Sequence, residues 1–178
     1  SLMVVDMPFK TYDTNKSALK NAKKIMKETK CDAVKLEGGK KIIKQVKFLI
    51  KNNIPVMGHL GLLPQTAKGK FRSKGKTDRE KKQLLEDALL LQDVVLECVK
   101  SSIAKQITKD LKIPTIGIGS SVYCDGQVLV TDDLLGLNDT KIKFVKKFMN
   151  LKKYINSGLR KFALEVKSKK YPTKKYSY

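Results

Sequence analysis

An α/β fold built on a parallel β-sheet is predicted by three features of this 178-residue sequence. Short apolar runs alternate with longer segments whose apolar residues recur at helical spacing. Alternation of this kind is typical of βαβ units, whose right-handed crossovers place successive strands side by side. Polar residues or glycines stand where the apolar runs end. The pattern is compatible with an open sheet or with most of an eight-stranded TIM barrel.

The individual elements follow from the spacing of apolar residues and from helix start signals. Strands are predicted at residues 2–6, 33–37, 55–60, 94–98, 114–118 and 127–131. Helices are predicted at residues 16–30, 40–52, 78–92, 101–111, 141–150 and 151–168, with Asp78 as the N-cap of the third. A Lys- and Gly-rich loop is expected at 66–77. We expect a single partial-barrel domain over 1–168 and a basic C-terminal tail at 169–178.

The composition argues against several classes of protein. Hydrophobic residues make up 41% of the chain, which is enough for a folded core. No run approaches the roughly 20 apolar residues that cross a bilayer, and the first residues resemble a strand interior rather than a signal peptide. The three cysteines are widely spaced, without a CxxC or Cys/His cluster. This disfavours zinc and fits a reducing, cytoplasmic location.

The net charge of +21 raises the possibility of nucleic-acid binding. Nearly all of this charge is lysine, whereas arginine is the residue of bidentate contacts to phosphate and guanine. Aromatic residues, which stack on bases, make up only 7%. We therefore favour a solvated lysine surface. The clusters at Lys68–Lys82 and Lys167–Lys175 are candidate patches for attracting anions.

Charged residues follow the predicted strands at one end. Asp6 ends the first strand, and Lys35 and Glu37 share one face of the second. His59 ends the third strand and Glu97 the fourth. The fifth ends in Gly117 and Gly119, and the sixth in Asp132 and Asp133. In a barrel, the carboxyl ends of the strands and the loops that follow them build the active site.

Each of these residues has a structural and a functional interpretation. Asp6 could cap a helix, and Lys35 with Glu37 could be an internal ion pair. Together, Asp6 and Glu37 offer the hard oxygen ligands that suit Mg²⁺. A lone histidine such as His59 is more often structural than catalytic. Glu97 is the best candidate for a general base, because a carboxylate buried after an apolar run acquires a raised pKa.

Several strings of residues, taken together, resemble the ketopantoate hydroxymethyltransferase family and occur in that family's order. The resemblance extends from Val4 to about Tyr171. The strings are Val5-Asp6-Met7-Pro8-Phe9, Val34-Lys35-Leu36-Glu37-Gly38-Gly39, Gly58-His59-Leu60-Gly61-Leu62 with Pro64-Gln65, Leu96-Glu97-Cys98-Val99, Ile113-Pro114-Thr115-Ile116-Gly117-Ile118-Gly119 and Cys124-Asp125-Gly126-Gln127-Val128-Leu129-Val130.

The resemblance implies a (βα)8 TIM barrel of the phosphoenolpyruvate mutase/isocitrate lyase type and a homo-oligomer, a decamer. It implies transfer of a hydroxymethyl group from 5,10-methylenetetrahydrofolate to 3-methyl-2-oxobutanoate, giving 2-dehydropantoate, with Mg²⁺ as cofactor. By the same resemblance Asp6 binds both Mg²⁺ and the keto acid, and Lys35 binds the keto acid. Glu37 lies on the metal side and Glu97 is the proton acceptor. His59 lies in the pocket, with its role left open.

The family departs from this sequence at the amino-terminal side, because it has a helix and two strands before the position of Ser1. Its second strand ends in an Asp-Ser pair that supplies a metal ligand and a substrate contact. We therefore expect the first two βα units to be missing, and the chain alone to be inactive or nearly so. The alternatives are a truncated inactive copy, another Mg²⁺-dependent keto-acid lyase of the same barrel group, or a polyanion-binding protein.

Binding of nucleic acid should be weak and sensitive to salt, because lysines alone supply a sequence-independent contact with phosphate. Fluorescence anisotropy with single-stranded and duplex oligonucleotides should show affinity that falls steeply between about 50 and 200 mM salt. A sequence-specific complex that survives high salt would contradict this expectation.

Overall fold

The computed structural model describes residues 1–67, 72–91, 94–139 and 141–178, in two compact units. The first unit is Ser1–Val128 and the second is Leu129–Tyr178. The predicted loop at 66–77, the end of the predicted helix 78–92 and the cluster Lys68–Lys82 fall partly outside the described residues. Each unit is described below by itself.

The first unit is built on a parallel sheet of six strands, which confirms the α/β class. The strands are β1 (Val4–Asp6), β2 (Ala33–Glu37), β3 (Val56–Gly61), β4 (Val94–Glu97), β5 (Thr115–Ile118) and β6 (Gly126–Gln127). They lie side by side in sequence order, and every neighbouring pair is parallel. This order is that of a partial TIM barrel, in which each strand precedes its neighbour in the chain.

Four helices follow strands in the first unit, as the apolar spacing predicts. They are α1 (Asn15–Thr29), α2 (Ile43–Lys51), α3 (Asp78–Leu90) and α4 (Ser101–Asp110), with a 3₁₀ turn at Lys40–Ile42 before α2. Helix α1 begins with a capping box, in which the Thr14 and Ser17 side chains each accept the other's backbone N–H. The predicted N-cap Asp78 is wrong by one residue, because the hydroxyl of Thr77 accepts the N–H of Glu80.

The core of the first unit lies between one face of the sheet and these helices. It includes Ala18, Ala22, Val34, Leu36, Val46, Leu49, Leu60, Leu84, Ala88, Leu96 and Ile107, all buried. Full burial of one large aliphatic side chain contributes about 1.5–3 kcal/mol. Since side chains alternate along a strand, burial of Leu36, Leu60 and Leu96 turns their charged neighbours toward the opposite face. The core thus sets the face on which a site can form.

The predicted sixth strand is shorter than expected. After β6, the N–H of Val128 still bonds the carbonyl of Gly117, but the chain then leaves the sheet. Residues Thr131–Leu134 form a one-turn helix, α5, instead of continuing the strand. The two carboxylates in its first turn are Asp132 and Asp133. Carboxylates are favoured beside the free N–H groups of a helix start, and this preference prevails over the apolar run before them.

The predicted helix at 141–150 is wrong, because the described residues of this segment form turns and irregular chain. Within the segment, the N–H of Val145 bonds the carbonyl of Ile142, and the N–H of Phe148 bonds the carbonyl of Leu134. Just after it, Leu151 donates to the carbonyl of Leu135. The last two bonds satisfy carbonyl groups at the end of α5, which a separate helix would leave unpaired.

The last long helix, α6 (Leu151–Lys167), confirms the prediction for 151–168 to within one residue. Its N-cap is Asn150, whose side chain accepts the N–H of Lys153 at 3.2 Å. The tail that follows is exposed and contains one 3₁₀ turn, Lys174–Tyr176. Among the helices that the structure describes, none combines the length and apolar character needed to cross a membrane.

Gly39 lies where α3 approaches the turn after β2. The Asp87 carboxylate accepts the N–H of Lys40 at 2.8 Å and the side-chain amide of Gln83 at 2.9 Å. A Cβ on Gly39 would collide with that carboxylate. An alanine at this position would therefore push the Asp87 carboxylate away from its two hydrogen bonds.

Substitution Gly39→Ala should destabilise the protein by about 1–3 kcal/mol, because Asp87 must move and release the N–H of Lys40. Urea unfolding of wild type and variant measures the difference. Gly126→Ala is the matched control in the same unit, since its Cβ would meet only Ile116 at 3.7 Å. Equal effects of the two substitutions would contradict this account.

Candidate functional site

The structure places the five predicted site residues at the carboxyl ends of four neighbouring strands. The register sets Asp6 of β1 opposite Lys35 of β2. It also sets Glu37 of β2 opposite His59 of β3, two positions before Gly61 pairs with Glu97 of β4. Because parallel strands end at the same edge, this register brings the five side chains to one edge of the sheet.

Asp6 and Lys35 form an ion pair, with 2.9 Å between Oδ1 and Nζ. The Lys35 side chain is 19% exposed and that of Asp6 is 55% exposed. A pair so open to water contributes little to stability. Its value lies instead in placing a cation and an anion side by side where a ligand can reach both.

Glu37 is half-buried beside this pair. Its Oε2 accepts the backbone N–H of Gln65 at 3.0 Å. Burial raises the pKa of Glu37, and the charge of Asp6 raises it further, whereas the Gln65 N–H, His59 and Lys35 lower it. Burial is the largest of these effects, and an added cation would oppose it by favouring the ionised form of the carboxylate.

His59 is buried, with 1% of its surface exposed. Its Nε2 lies 2.8 Å from the carbonyl oxygen of Leu62. A carbonyl only accepts hydrogen bonds, so Nε2 carries a proton. The same Nε2 lies 3.3 Å from Oε2 of Glu97. Nδ1 is buried without a hydrogen-bond partner among the described residues.

Glu97 is 7% exposed and ends a strand whose four residues are all buried. Its own carbonyl accepts the N–H of Leu62 at 2.9 Å, across from β3. Gly61 makes this crossing possible, because it adopts φ +94° and a Cβ there would collide with the Glu97 carbonyl. The turn after β3 therefore holds both His59 and Glu97 in place.

The segment after Glu97 is fastened from the opposite side by β5. The hydroxyl of Ser120 donates to the carbonyl of Leu96 at 2.5 Å and accepts the N–H of Val99 at 3.1 Å. Cys98 donates its N–H to the carbonyl of Ile118 at 3.0 Å. Glu97 is thus held by bonds to both neighbouring strands, which limits the movement of its carboxylate.

The sequence matches known proteins over nearly its whole length. The family model described as "Ketopantoate hydroxymethyltransferase" matches residues 1–174. This chain belongs to the ketopantoate hydroxymethyltransferase family. A 3-methyl-2-oxobutanoate hydroxymethyltransferase of Pelagibacter ubique is 61% identical over 100% of this chain and 71% of the relative.

More distant members of the ketopantoate hydroxymethyltransferase family give the same result. The protein of the same name from Clostridium botulinum strain Alaska E43 is 46% identical, over 100% of this chain and 68% of its own length. The protein of the same name from Anaplasma marginale strain Florida is 44% identical, over 100% of this chain and 67% of its own length. The chain thus spans about 67–71% of the length of these relatives.

The Mg²⁺ that the family resemblance implies fits the donor chemistry of Asp6 and Glu37. Mg²⁺ commonly takes one or two protein carboxylates and completes its shell with water and substrate oxygens. A cation bound there would offset the burial that raises the pKa of Glu37. Among the described residues there is no group of three or more His, Cys, Asp and Glu side chains arranged to hold a metal.

Two residues that contact this family's candidate site escaped the sequence analysis. Gln65 bonds Glu37 through its backbone, and its side chain bonds the carbonyl of Met7 and the hydroxyl of Tyr12. The only signal was the position of Gln65 within the string that resembles the family. Tyr12 carried no signal, because its role depends on contact with a residue 53 positions away.

Cys98 follows Glu97 directly, and the pKa of its thiol depends on burial and on the charge of Glu97. It is buried and adopts φ +53°, in the left-handed region. Burial, and then the charge of Glu97, raises the pKa of the Cys98 thiol from 9.0 to about 11. The thiol is therefore protonated near neutral pH, and its thiolate appears only in strongly alkaline solution.

The reaction of Cys98 with iodoacetamide at pH 8 should be at least about 100-fold slower than in the denatured chain, because only the thiolate is nucleophilic. Peptide mapping by mass spectrometry measures it. The raised pKa also means that the thiol's stabilising contribution is complete below pH 9.0 and is lost as pH rises through about 11. Rapid labelling of Cys98 in the folded protein at pH 8 would contradict this assignment.

Proposed function

We propose that the protein transfers a hydroxymethyl group from 5,10-methylenetetrahydrofolate to 3-methyl-2-oxobutanoate, giving 2-dehydropantoate. The observation that carries the proposal is the buried His59–Glu97 contact beside the Asp6–Lys35 pair, on one edge of the sheet. A base, Glu97, and a cation, Lys35, are thereby available to one small keto acid. The relatives named above carry the same activity in their names. The resemblance to this family also leads us to propose that the fold is of the phosphoenolpyruvate mutase/isocitrate lyase type.

Lys35 serves to bind the keto acid and to stabilise the negative charge that develops on it. Its ammonium is already held at the strand end by Asp6, so little reorganisation is needed when the substrate binds. Asp6 and Glu37 would hold Mg²⁺ close by. When bound, Mg²⁺ supplies a Lewis acid that draws electron density from the carboxylate and keto oxygens of the substrate.

Glu97 takes the proton from the carbon next to the keto group. The C–H bond breaks, the proton goes to the carboxylate, and the electron pair forms the enolate. That carbon then bonds to the methylene carbon of the folate, as the first of the two bonds from this methylene to nitrogen breaks. A water molecule supplies the hydroxyl oxygen as the second carbon–nitrogen bond breaks. Tetrahydrofolate leaves, its two nitrogens having taken up the proton from the substrate and one proton from the water.

His59 keeps Glu97 ready for this step. Because Nε2 carries a proton that is bonded to the Leu62 carbonyl, it presents an N–H group, and not a lone pair, 3.3 Å from Oε2 of Glu97. The positive end of this N–H dipole favours the ionised form of the carboxylate. The other oxygen remains for the substrate proton. His59 is thus a positioning residue in this proposal.

The variant Glu97→Gln should slow proton removal by about 100-fold or more, because it lacks a base of similar shape. The measurement is deuterium exchange next to the keto group of 3-methyl-2-oxobutanoate, with Mg²⁺, in the whole protein that contains these residues. Keto-acid binding, measured by calorimetry, should change little.

Asp6→Ala should instead weaken binding of Mg²⁺ and the keto acid together.

The matched control is Glu86→Gln, an exposed glutamate on α3 that faces Lys82 at 4.0 Å. It should exchange deuterium at the wild-type rate. If Glu97→Gln also exchanged at the wild-type rate, Glu97 would not be the base. If the wild-type protein exchanged no deuterium and bound no keto acid, the proposed activity itself would fall.

A further inference from the structure

We propose that Gln65 is a positioning residue whose side chain locks the loop after β1 against Glu37, and so sets the separation of the Asp6 and Glu37 carboxylates. This inference rests on the proposed function, in which these two carboxylates hold Mg²⁺. It adds a residue that contacts neither the metal nor the substrate in that scheme but decides the geometry of the groups that do.

Three hydrogen bonds converge on Gln65. Its backbone N–H donates to Oε2 of Glu37 at 3.0 Å. Its side-chain amide donates to the carbonyl of Met7 at 3.0 Å. Its side-chain oxygen accepts the hydroxyl of Tyr12 at 3.3 Å. Since the nitrogen faces a carbonyl and the oxygen faces a hydroxyl donor, the orientation of the amide is determined by its partners.

The bond to Met7 acts on Asp6, its neighbour in the chain. The N–H of Met7 donates to the carbonyl of Lys35 at 2.9 Å. Both polar backbone groups of Met7 are therefore fixed, one by β2 and one by Gln65. Met7 itself is fully buried. The direction in which the chain leaves Asp6 consequently depends on the Gln65 side chain.

The bond to Glu37 acts on the second carboxylate. The donor is the backbone N–H of Gln65, so a change of side chain leaves this donor present. The change removes the side-chain bonds to Met7 and Tyr12 that hold the Gln65 backbone in position. Tyr12, with 6% of its surface exposed, packs in the same core and gives the Gln65 amide a fixed support. Gln65 thus joins the two carboxylate-bearing strand ends through one side chain and its own backbone.

Another glutamine offers a matched control. Gln45 on α2 donates its side-chain amide to the carbonyl of Asp13 at 2.9 Å, in the same connection between β1 and α1. Like Gln65 it is partly buried and ties that connection to a distant element. The side-chain amide of Gln45 bonds Asp13 rather than Met7 or Glu37. Gln45→Met therefore removes a comparable anchor without touching the proposed geometry.

The first measurement needs no substrate. Amide hydrogen exchange by NMR should show faster exchange at Gln65 and at Met7 in Gln65→Met than in wild type. In Gln45→Met, exchange at these two positions should stay at the wild-type rate. Equal protection in all three proteins would overturn the proposal, because the side chain would then not hold either strand end.

The second measurement is the Mg²⁺ dissociation constant by calorimetry, at saturating 3-methyl-2-oxobutanoate. Gln65→Met should raise it about 10-fold or more, as loss of a group that orients a metal ligand commonly does. Gln45→Met should leave it unchanged. Equal increases in the two variants would overturn the proposal, since Gln65 would then merely stabilise the loop.

A milder variant covers the case in which Gln65→Met does not fold. Tyr12→Phe removes only the hydroxyl that supports the Gln65 oxygen. It should raise the Mg²⁺ dissociation constant in the same direction but by a smaller factor, and an unchanged constant would count against the proposal. If wild type bound no Mg²⁺, the proposed function would fail, while the exchange measurement would still decide whether Gln65 anchors the strand ends.

Discussion

Buried ionisable groups at neighbouring strand ends must be compensated, and the arrangement around the site follows from this constraint. Glu97 and His59 are both less than 10% exposed and lie 3.3 Å apart, at the point where β3 and β4 end. The loop after β3 turns back so that the carbonyl of Leu62 accepts the N–H of His59 Nε2. Glycine at position 61 is the residue that allows this return, because the backbone passes against the Glu97 carbonyl.

Glu37 illustrates the other side of the same constraint. Its compensation is incomplete, because burial and the nearby Asp6 raise its pKa more than the Gln65 N–H, His59 and Lys35 lower it. A group in this state costs stability in the ionised form and gains from a cation. Such incomplete compensation is typical of functional positions, where a ligand supplies the missing partner.

The rigidity of the site comes from backbone bonds rather than from the charged groups themselves. Ser120, Ile118 and Leu62 bond the chain on either side of the Glu97 carboxylate. The Asp6–Lys35 pair, by contrast, is open to water, where a ligand can reach it. A buried, fixed base beside an accessible ion pair suits a reaction in which the proton acceptor must be aimed while the substrate enters and leaves.

The sequence by itself determined the strand and helix alternation, the parallel sheet and the placing of Asp6, Lys35, Glu37, His59 and Glu97 at one edge. These features depend on local periodicity and on the alternation of side chains along a strand, which short stretches of sequence express.

The tertiary structure decided the rest. The predicted helix at 141–150 is absent, and Phe148 of that segment instead donates its N–H to the carbonyl of Leu134 in α5. Gln65 acquired its role through a bond to Met7, 58 positions away. The proton on His59 Nε2 was decided by a carbonyl brought back by a turn. Such partners are set by the fold, because hydrogen bonds between distant segments leave no periodic pattern in the chain.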